Sequence, residues 1–317
     1  MTEADMALGR AMASETNLER THKKRRWGRS PGTYHWQPFV FVAVIIILYL
    51  VFFVWPAASG LFYSFTNYKG RGSFSAVGLS NYAKLLSDKD FYSALLRTFE
   101  YTVIAVPLGY VLSLFSAVIL TSKRVVGAAP ARMLLFMPWL ISPIVVGVIW
   151  RWMFGESFGL INYLLSLVGL GQPSWQTSSN LSLAVVIFAG AWAGTAFNML
   201  LFIGALKNVS TSVKEAAALD GASSWQTFWH IILPSIRPTS FMVILLSTLG
   251  SMKEFALVQA VNGGGPGTSN NFIVQYIYTT GFSRAKVGYA SAASMVLMVI
   301  LLILSLVQLR LNRDNEA

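Results

Sequence analysis

Cysteine is absent from the 317 residues, so disulfides, thiolate metal sites and cysteine nucleophiles are excluded. Histidine is nearly absent. His22, His35 and His230 are the only three and stand far apart, which gives no basis for a histidine metal site or a histidine general base. Charge is scarce too: Asp, Glu, Lys and Arg make up 12% of the chain, half the roughly 25% of a soluble domain. Also missing is the pattern Gly-x4-Gly-Lys-Ser/Thr of a phosphate loop. The chain is therefore not expected to hydrolyse ATP or to bind a cofactor of its own. What is abundant is apolar. Hydrophobic residues reach 55% and are gathered in long blocks, the mark of a membrane protein.

Six blocks approach the ~20 apolar residues that a spanning helix needs. They run from Pro38 to Phe62, Thr98 to Leu120, Met133 to Phe154, Leu181 to Leu206, Ser240 to Val261 and Val287 to Leu309. The expected fold class is an all-α membrane protein of six transmembrane helices. The expected organisation is a basic tail over 1–36, a six-helix domain over 37–311 and a short tail over 312–317. Met1 to Ser30 lacks an apolar stretch, so no cleavable signal peptide is expected there. The net charge of +11 could suggest nucleic acid, but Lys23-Lys24-Arg25-Arg26 lies just before the first span. There it reads as a topology signal, and no nucleic-acid partner is expected. Fifteen Lys and Arg fall in the loops on that side and eight on the other, with Lys253 inside span five. Both termini, and the loop over 207–238, are then expected on the cytoplasmic side.

That loop is the most patterned stretch. Ser212 and Glu215 have the spacing of a capping box, three alanines favour helix, and Gly221 suits a left-handed end. Ser223 and Gln226 offer a second capping box. Trp225, Phe228, Trp229 and Ile232 then share one helical face, with Pro234 and Pro238 expected to stop the helix before span five. Two readings are open: an amphipathic connector resting on the membrane, or a docking element for another protein.

Glu215, Ala216, Ala217, Asp220, Gly221, Ala222, Ile231, Leu233 and Pro234 match a known signature residue for residue. The chain resembles the permease subunits of bacterial ABC importers, in the branch that takes up carbohydrates and glycerol phosphates. Val77-Gly78-Leu79-Ser80-Asn81-Tyr82, Phe158-Gly159-Leu160-Ile161-Asn162 and Gly263-Gly264-Gly265-Pro266-Gly267-Thr268 are similar to its outer loops. Ala256, where aspartate is common, and Arg97, where asparagine is usual, depart from it. The resemblance implies a type I importer permease fold with a family-like core over about 95–309, in the bacterial inner membrane. It implies that the nine signature residues couple the chain to a partner ATPase, which uses the ATP and magnesium. It implies, besides membrane lipid, a second permease subunit, two ATPase subunits, an external solute-binding protein and a sugar substrate. A self-sufficient secondary transporter or channel is the alternative. No internal repeat supports it.

Candidate pathway residues follow from chemistry. Sugars bind to aromatic faces beside hydrogen-bonding groups, and span four carries Trp192, Phe197 and Asn198, with Thr195 between them. These residues also suit plain helix packing. Lys253 and Glu254 are adjacent charges near span five. They line a pathway or meet a facing helix if the span runs through them, and sit at the outer interface if it ends before them. The stripe Leu160, Ile161, Leu164, Leu165 and Val168 predicts a short interfacial helix, with Trp175 as its anchor. The glycine run reads as a turn that needs only flexible backbone.

Overall fold

A computed structural model describes residues 37–122, 125 and 127–314. The basic tail over 1–36 lies outside the described residues. Among those described there is no β-sheet, only an isolated bridge between Thr66 and Ala76. The chain divides into two compact units, Met1–Ala57 and Ala58–Ala317. In the first, helix α1 (Gln37–Tyr49) and a π-helical turn (Leu50–Val54) are almost wholly apolar. A helix apolar on every side is suited to lipid rather than water. Helix α2 (Trp55–Ser64) continues the run, and Phe39–Ser64 is long and apolar enough to cross a membrane.

The second unit is built on two long helices: α4 (Lys89–Thr121), which follows the short α3 (Ser80–Leu85), and α8 (Ser179–Asn208), which comes after the pair α5 (Ala128–Leu140) and α6 (Pro143–Met153) and after α7 (Leu160–Leu167). Small residues let α4 and α8 approach closely: a Cβ on Gly109 would lie 3.7 Å from the Ala191 carbonyl oxygen. Their shared core holds Tyr101, Ala105, Val186 and Ala189, and towards the other end Leu114, Ala117, Met199 and Phe202. The last long helix is α15 (Val287–Asp314). Among the described residues four helical stretches are therefore long and apolar enough to span, and two bent pairs raise the number to as many as six.

Spans three and five are not the continuous helices that hydropathy predicts. Span three bends by 101° between α5 and α6. Ile141 and Ser142 are extended there, with ψ of 138° and 137°. Pro143 is the cause, because its ring disfavours helical backbone at the residue before it. Span five ends as α12 (Arg237–Ser251), turns through Met252–Phe255 and resumes as α13 (Ala256–Val261). Helix α13 packs beside α6, where Gly147 leaves no room for a side chain.

The loops after α2 and after α6 are latched by buried polar groups. The Asn81 amide donates to the carbonyls of Ser64 and Thr66, both at 2.8 Å, and the Tyr82 hydroxyl to Ser64 Oγ at 2.7 Å. Helix α7 forms as the apolar stripe predicts. Trp175 is partly buried: its Nε1 donates to Asn162 Oδ1 at 2.7 Å and its ring packs edge-on against Phe154. Asn162 is buried, so the indole turns inward to satisfy it.

Asp88 is the N-cap of α4, accepting from the backbone of Asp90 and Phe91 at 2.9 and 3.2 Å. Its Oδ2 also accepts from the hydroxyls of Tyr276 and Tyr289 at 2.6 and 2.7 Å, tying α4 to α14 (Ile273–Tyr278) and α15. Burial opposes ionisation, but the two hydroxyls and two backbone N–H groups outweigh it and hold the carboxyl below its usual range. A depressed folded-state pKa stabilises above the unfolded value of about 3.9 and is lost as pH falls through the folded value. Asp88→Ala is expected to cost about 2 kcal/mol at neutral pH through the lost cap and tyrosine bonds. Thermal unfolding of both proteins from pH 7 to 3 checks it: the gap narrows on acidification, and a gap independent of pH refutes the ionic account.

Candidate functional site

The loop over 207–238 folds as two helical pieces at an elbow. Helix α9 (Thr211–Leu219) begins after Ser210, whose backbone is extended. The expected capping box of Ser212 and Glu215 is not formed, because Ser212 already lies in the first helical turn and cannot take the extended backbone of a cap. Its hydroxyl instead lies 2.6 Å from Ser210 Oγ. At the other end, Gly221 is left-handed with φ +78°. Gly221 N–H donates to Ala218 at 3.2 Å and Ala222 N–H to Ala217 at 2.9 Å, the paired bonds of a Schellman ending. The second capping box does form: Gln226 N–H donates to Ser223 Oγ and Ser223 N–H to Gln226 Oε1.

From Ser223 the chain runs through α10 (Ser224–Thr227), a π-helical turn (Phe228–Ile232) and α11 (Leu233–Ser235) without a break. Pro234 does not stop it. The turn is widened so that Leu233 N–H reaches the Phe228 carbonyl, and the proline follows in the first turn of the next segment, where a missing N–H is tolerated. The bend, 67°, comes at Ile236. Phe228, Ile232 and Leu233 pack on the core of α4, α8 and Ile236. Trp225 and Leu219 stay outside, 69% and 90% exposed. Of the signature residues, Ala217 is buried, Ile231, Leu233 and Pro234 are partly so, and Ala222 lies half-covered beside the open Gly221. Glu215, Ala216 and Asp220 face solvent. One side of the loop is anchored while the other presents an apolar, aromatic surface.

The second feature is an open-sided cavity of about 720 Å³ lined by residues of α4, α5, α6, α8, α12 and α13. Phe197, Asn198 and Glu254 line it. Trp192 does not; it lies on the neighbouring face of α8, its ring centroid 6.0 Å from that of Trp150. Lys253 is exposed and lies off the cavity. Both charges of the pair sit in the break of span five rather than on a helix. Glu254 Oε1 accepts from the backbone of Phe255 and Leu257, both at 3.0 Å, and so starts α13. Residue-by-residue reading missed three further lining groups: Tyr101, Trp139 and Ser247. The available signal was Pro143, which breaks span three at the cavity wall just after Trp139, whose ring stacks on Phe197 at 4.8 Å.

The glycine run is not merely a pliable turn. Asn270 is fully buried and donates to the carbonyls of Ser179 and Gly265, both at 2.9 Å. Asn262 donates to Ser182 Oγ at 2.8 Å, and Arg97 Nε to the Ser269 carbonyl at 2.9 Å. Arg97 also reaches Glu100 and Ser179, so this departure from the family pattern fastens the loop to α4 and α8. Among the described residues no group of three or more His, Cys, Asp or Glu could hold a metal ion.

Comparison with known proteins agrees with this architecture. The family model described as "Binding-protein-dependent transport system inner membrane component" matches residues 86–316. The sn-glycerol-3-phosphate transport system permease protein UgpA of Agrobacterium fabrum (strain C58 / ATCC 33970) is 33% identical over 280 residues, covering 86% of this chain and 93% of that protein. The arabinooligosaccharides transport system permease protein AraP of Bacillus subtilis (strain 168) is 33% identical over 281 residues, covering 87% and 88%. Among solved structures, a bacterial ABC transporter involved in the import of the acidic polysaccharide alginate superposes with a TM-score of 0.77 at 22% identity, over 88% of this chain and 96% of that one. The same fold recurs, with a TM-score of 0.78, in an alginate transporter in complex with alginate pentasaccharide-bound periplasmic protein, over 88% and 94% of the two chains at 22% identity. The fold is thus that of ABC importer permeases, whose subunits are generally non-catalytic. Given a match over most of its length and relatives at this identity, the chain belongs to the family of inner membrane components of binding-protein-dependent transport systems.

Proposed function

We propose that this chain is the permease subunit of an ATP-driven importer of a sugar or oligosaccharide. An external solute-binding protein delivers the substrate to the cavity walled by Phe197, Asn198 and Glu254. A second permease supplies the facing half of the pathway, and two ATPase subunits bind and hydrolyse ATP with magnesium. Both termini and the loop over 207–238 lie in the cytoplasm. The single observation that carries the coupling role is the two-sided loop: one side is packed on the transmembrane core, and the other leaves Trp225 and Leu219 in solvent. Exposed aromatic surface of this kind marks a protein interface. A partner that pulls on it moves α4, α8 and α12 directly, because Phe228, Ile232 and Leu233 are rooted among them. The names of the relatives, a glycerol phosphate permease and an arabino-oligosaccharide permease, support solutes of the sugar and polyol type.

Purification of the tagged chain from its native membrane in mild detergent tests the assembly. An ATPase, a second permease and a binding protein are expected with it. A chain that emerges alone, and that transports after reconstitution without ATP, is a secondary transporter or channel instead. Trp225→Ala is expected to weaken retention of the ATPase by about tenfold or more, the effect of losing one interface hot spot. Trp225 is exposed, so the chain itself stays folded. Unchanged ATPase recovery with Trp225→Ala, Trp229→Ala and both together removes the aromatic face from the interface.

A further inference from the structure

We infer that the cavity takes a hydroxyl-rich ligand without negative charge, that it turns away phosphorylated and uronic acids, and that Glu254 is the residue that sets this preference. The inference rests on the permease reading and deepens it. The volume of about 720 Å³ is within the range of small-molecule sites. On one side Trp139 lies stacked with Phe197, their rings 23° from parallel, giving a flat apolar face for the C–H side of a sugar ring. Asn198 Nδ2 donates to Ser247 Oγ at 3.1 Å, which holds the amide in place and leaves its Oδ1 open to a ligand hydroxyl.

Glu254 is the only ionisable carboxyl among the lining residues, and no Lys, Arg or His lines the cavity. Lys253, next in the chain, is exposed and outside the lining. The Glu254 side chain is held still, since Oε1 accepts two backbone N–H groups. Among the described residues none donates to Oε2, which is left as an acceptor. Polyol hydroxyls are donors that suit such an acceptor. On this chain's side of the pathway an anion meets no cation and faces an acid, and placing a charge unpaired in a largely apolar wall is costly. A phosphate or carboxylate site would show the opposite chemistry, above all arginine in bidentate geometry.

The test uses the whole purified importer, nucleotide-free and without its binding protein. Saturation-transfer NMR is recorded with arabinotriose as the uncharged probe and glycerol 3-phosphate as the anion, at equal concentration. Arabinotriose is expected to give signal and glycerol 3-phosphate none. Glu254→Gln keeps an acceptor oxygen for Phe255 and Leu257, so α13 still starts there, and it should weaken arabinotriose about tenfold. Glu254→Lys should admit glycerol 3-phosphate. Signal from glycerol 3-phosphate in the unaltered importer, silence from both probes, or an arabinotriose affinity indifferent to Glu254→Gln overturns the inference. Failure of the permease reading looks different: the same assembly would then show no rise in ATP hydrolysis when the binding protein is added.

Discussion

Gly221→Asp is expected to lower uptake at least a hundredfold while the chain still inserts in the membrane. The elbow depends on a left-handed residue at this position, with φ +78°. A side chain there would strike nothing within 4 Å, so the penalty comes from the backbone rather than from a clash. Left-handed backbone costs an L-residue about 1–2 kcal/mol, and each 1.4 kcal/mol is about a factor of ten in population. The aspartate also adds a charge between Leu219 and Trp225, at a surface proposed to be covered by the ATPase, where an unpaired charge costs several times the strain. Gly221→Ala, which carries the strain alone, should fall in between. Insertion is unaffected, because the loop lies between spans and its change leaves their hydropathy intact. Uptake into proteoliposomes, with a membrane-fraction blot, measures both. Normal transport by Gly221→Asp would end the coupling role of the loop.

Gly147→Leu is expected to destabilise the protein by about 3 kcal/mol or prevent its accumulation, the upper range for overpacking. A Cβ at Gly147 would stand 2.5 Å from the Ala260 Cβ, 2.9 Å from the Leu257 carbonyl oxygen and 3.2 Å from the Val261 nitrogen. Two of these are backbone atoms, which cannot step aside as a side-chain tip does. Helices α6 and α13 would have to part, and both wall the cavity through Val146 and Leu257. Gly204→Ala is the control. Nothing lies within 4 Å of its Cβ, and in a helix interior alanine is favoured over glycine by about 1 kcal/mol. Thermal unfolding of the purified assembly separates them. A Gly147→Leu protein as stable as the wild type would mean the two helices do not cross this closely.

Much of the molecule is legible in its sequence. The long helices α4, α8 and α15 start and stop within a few residues of the apolar blocks, apart from the polar first turns of α4 and the last of α15. Hydropathy reports length and composition, and these decide whether a helix can span. Asp88 was not foreseen as the cap of α4, nor as the knot between Tyr276 and Tyr289, since its partners lie 188 and 201 residues away. The elbow at Gly221 and the Ser223–Gln226 box were legible because capping is local chemistry. The Ser212–Glu215 spacing misleads because it does not say where the helix begins: the N-cap position falls on Ser210, whose side chain makes no capping bond, and Ser212 is already helical.

The cavity was half legible. Phe197, Asn198 and Glu254 have the right chemistry at sequence level, but Trp192 and Lys253 have it equally. Which of them face the ligand depends on where spans three and five break, and on what packs in the gap. Composition, the helical blocks, the elbow and the family signature were determined by the sequence itself, because each depends on residues within a turn or two of one another. The 101° bend just after Trp139, the stack of that ring on Phe197, the crossing at Gly147, and the placement of Glu254 in a wall without a cation belong to the tertiary structure alone. Each requires the relative direction of helices far apart in the chain, and hydrophobic burial, which drives their packing, has no direction of its own.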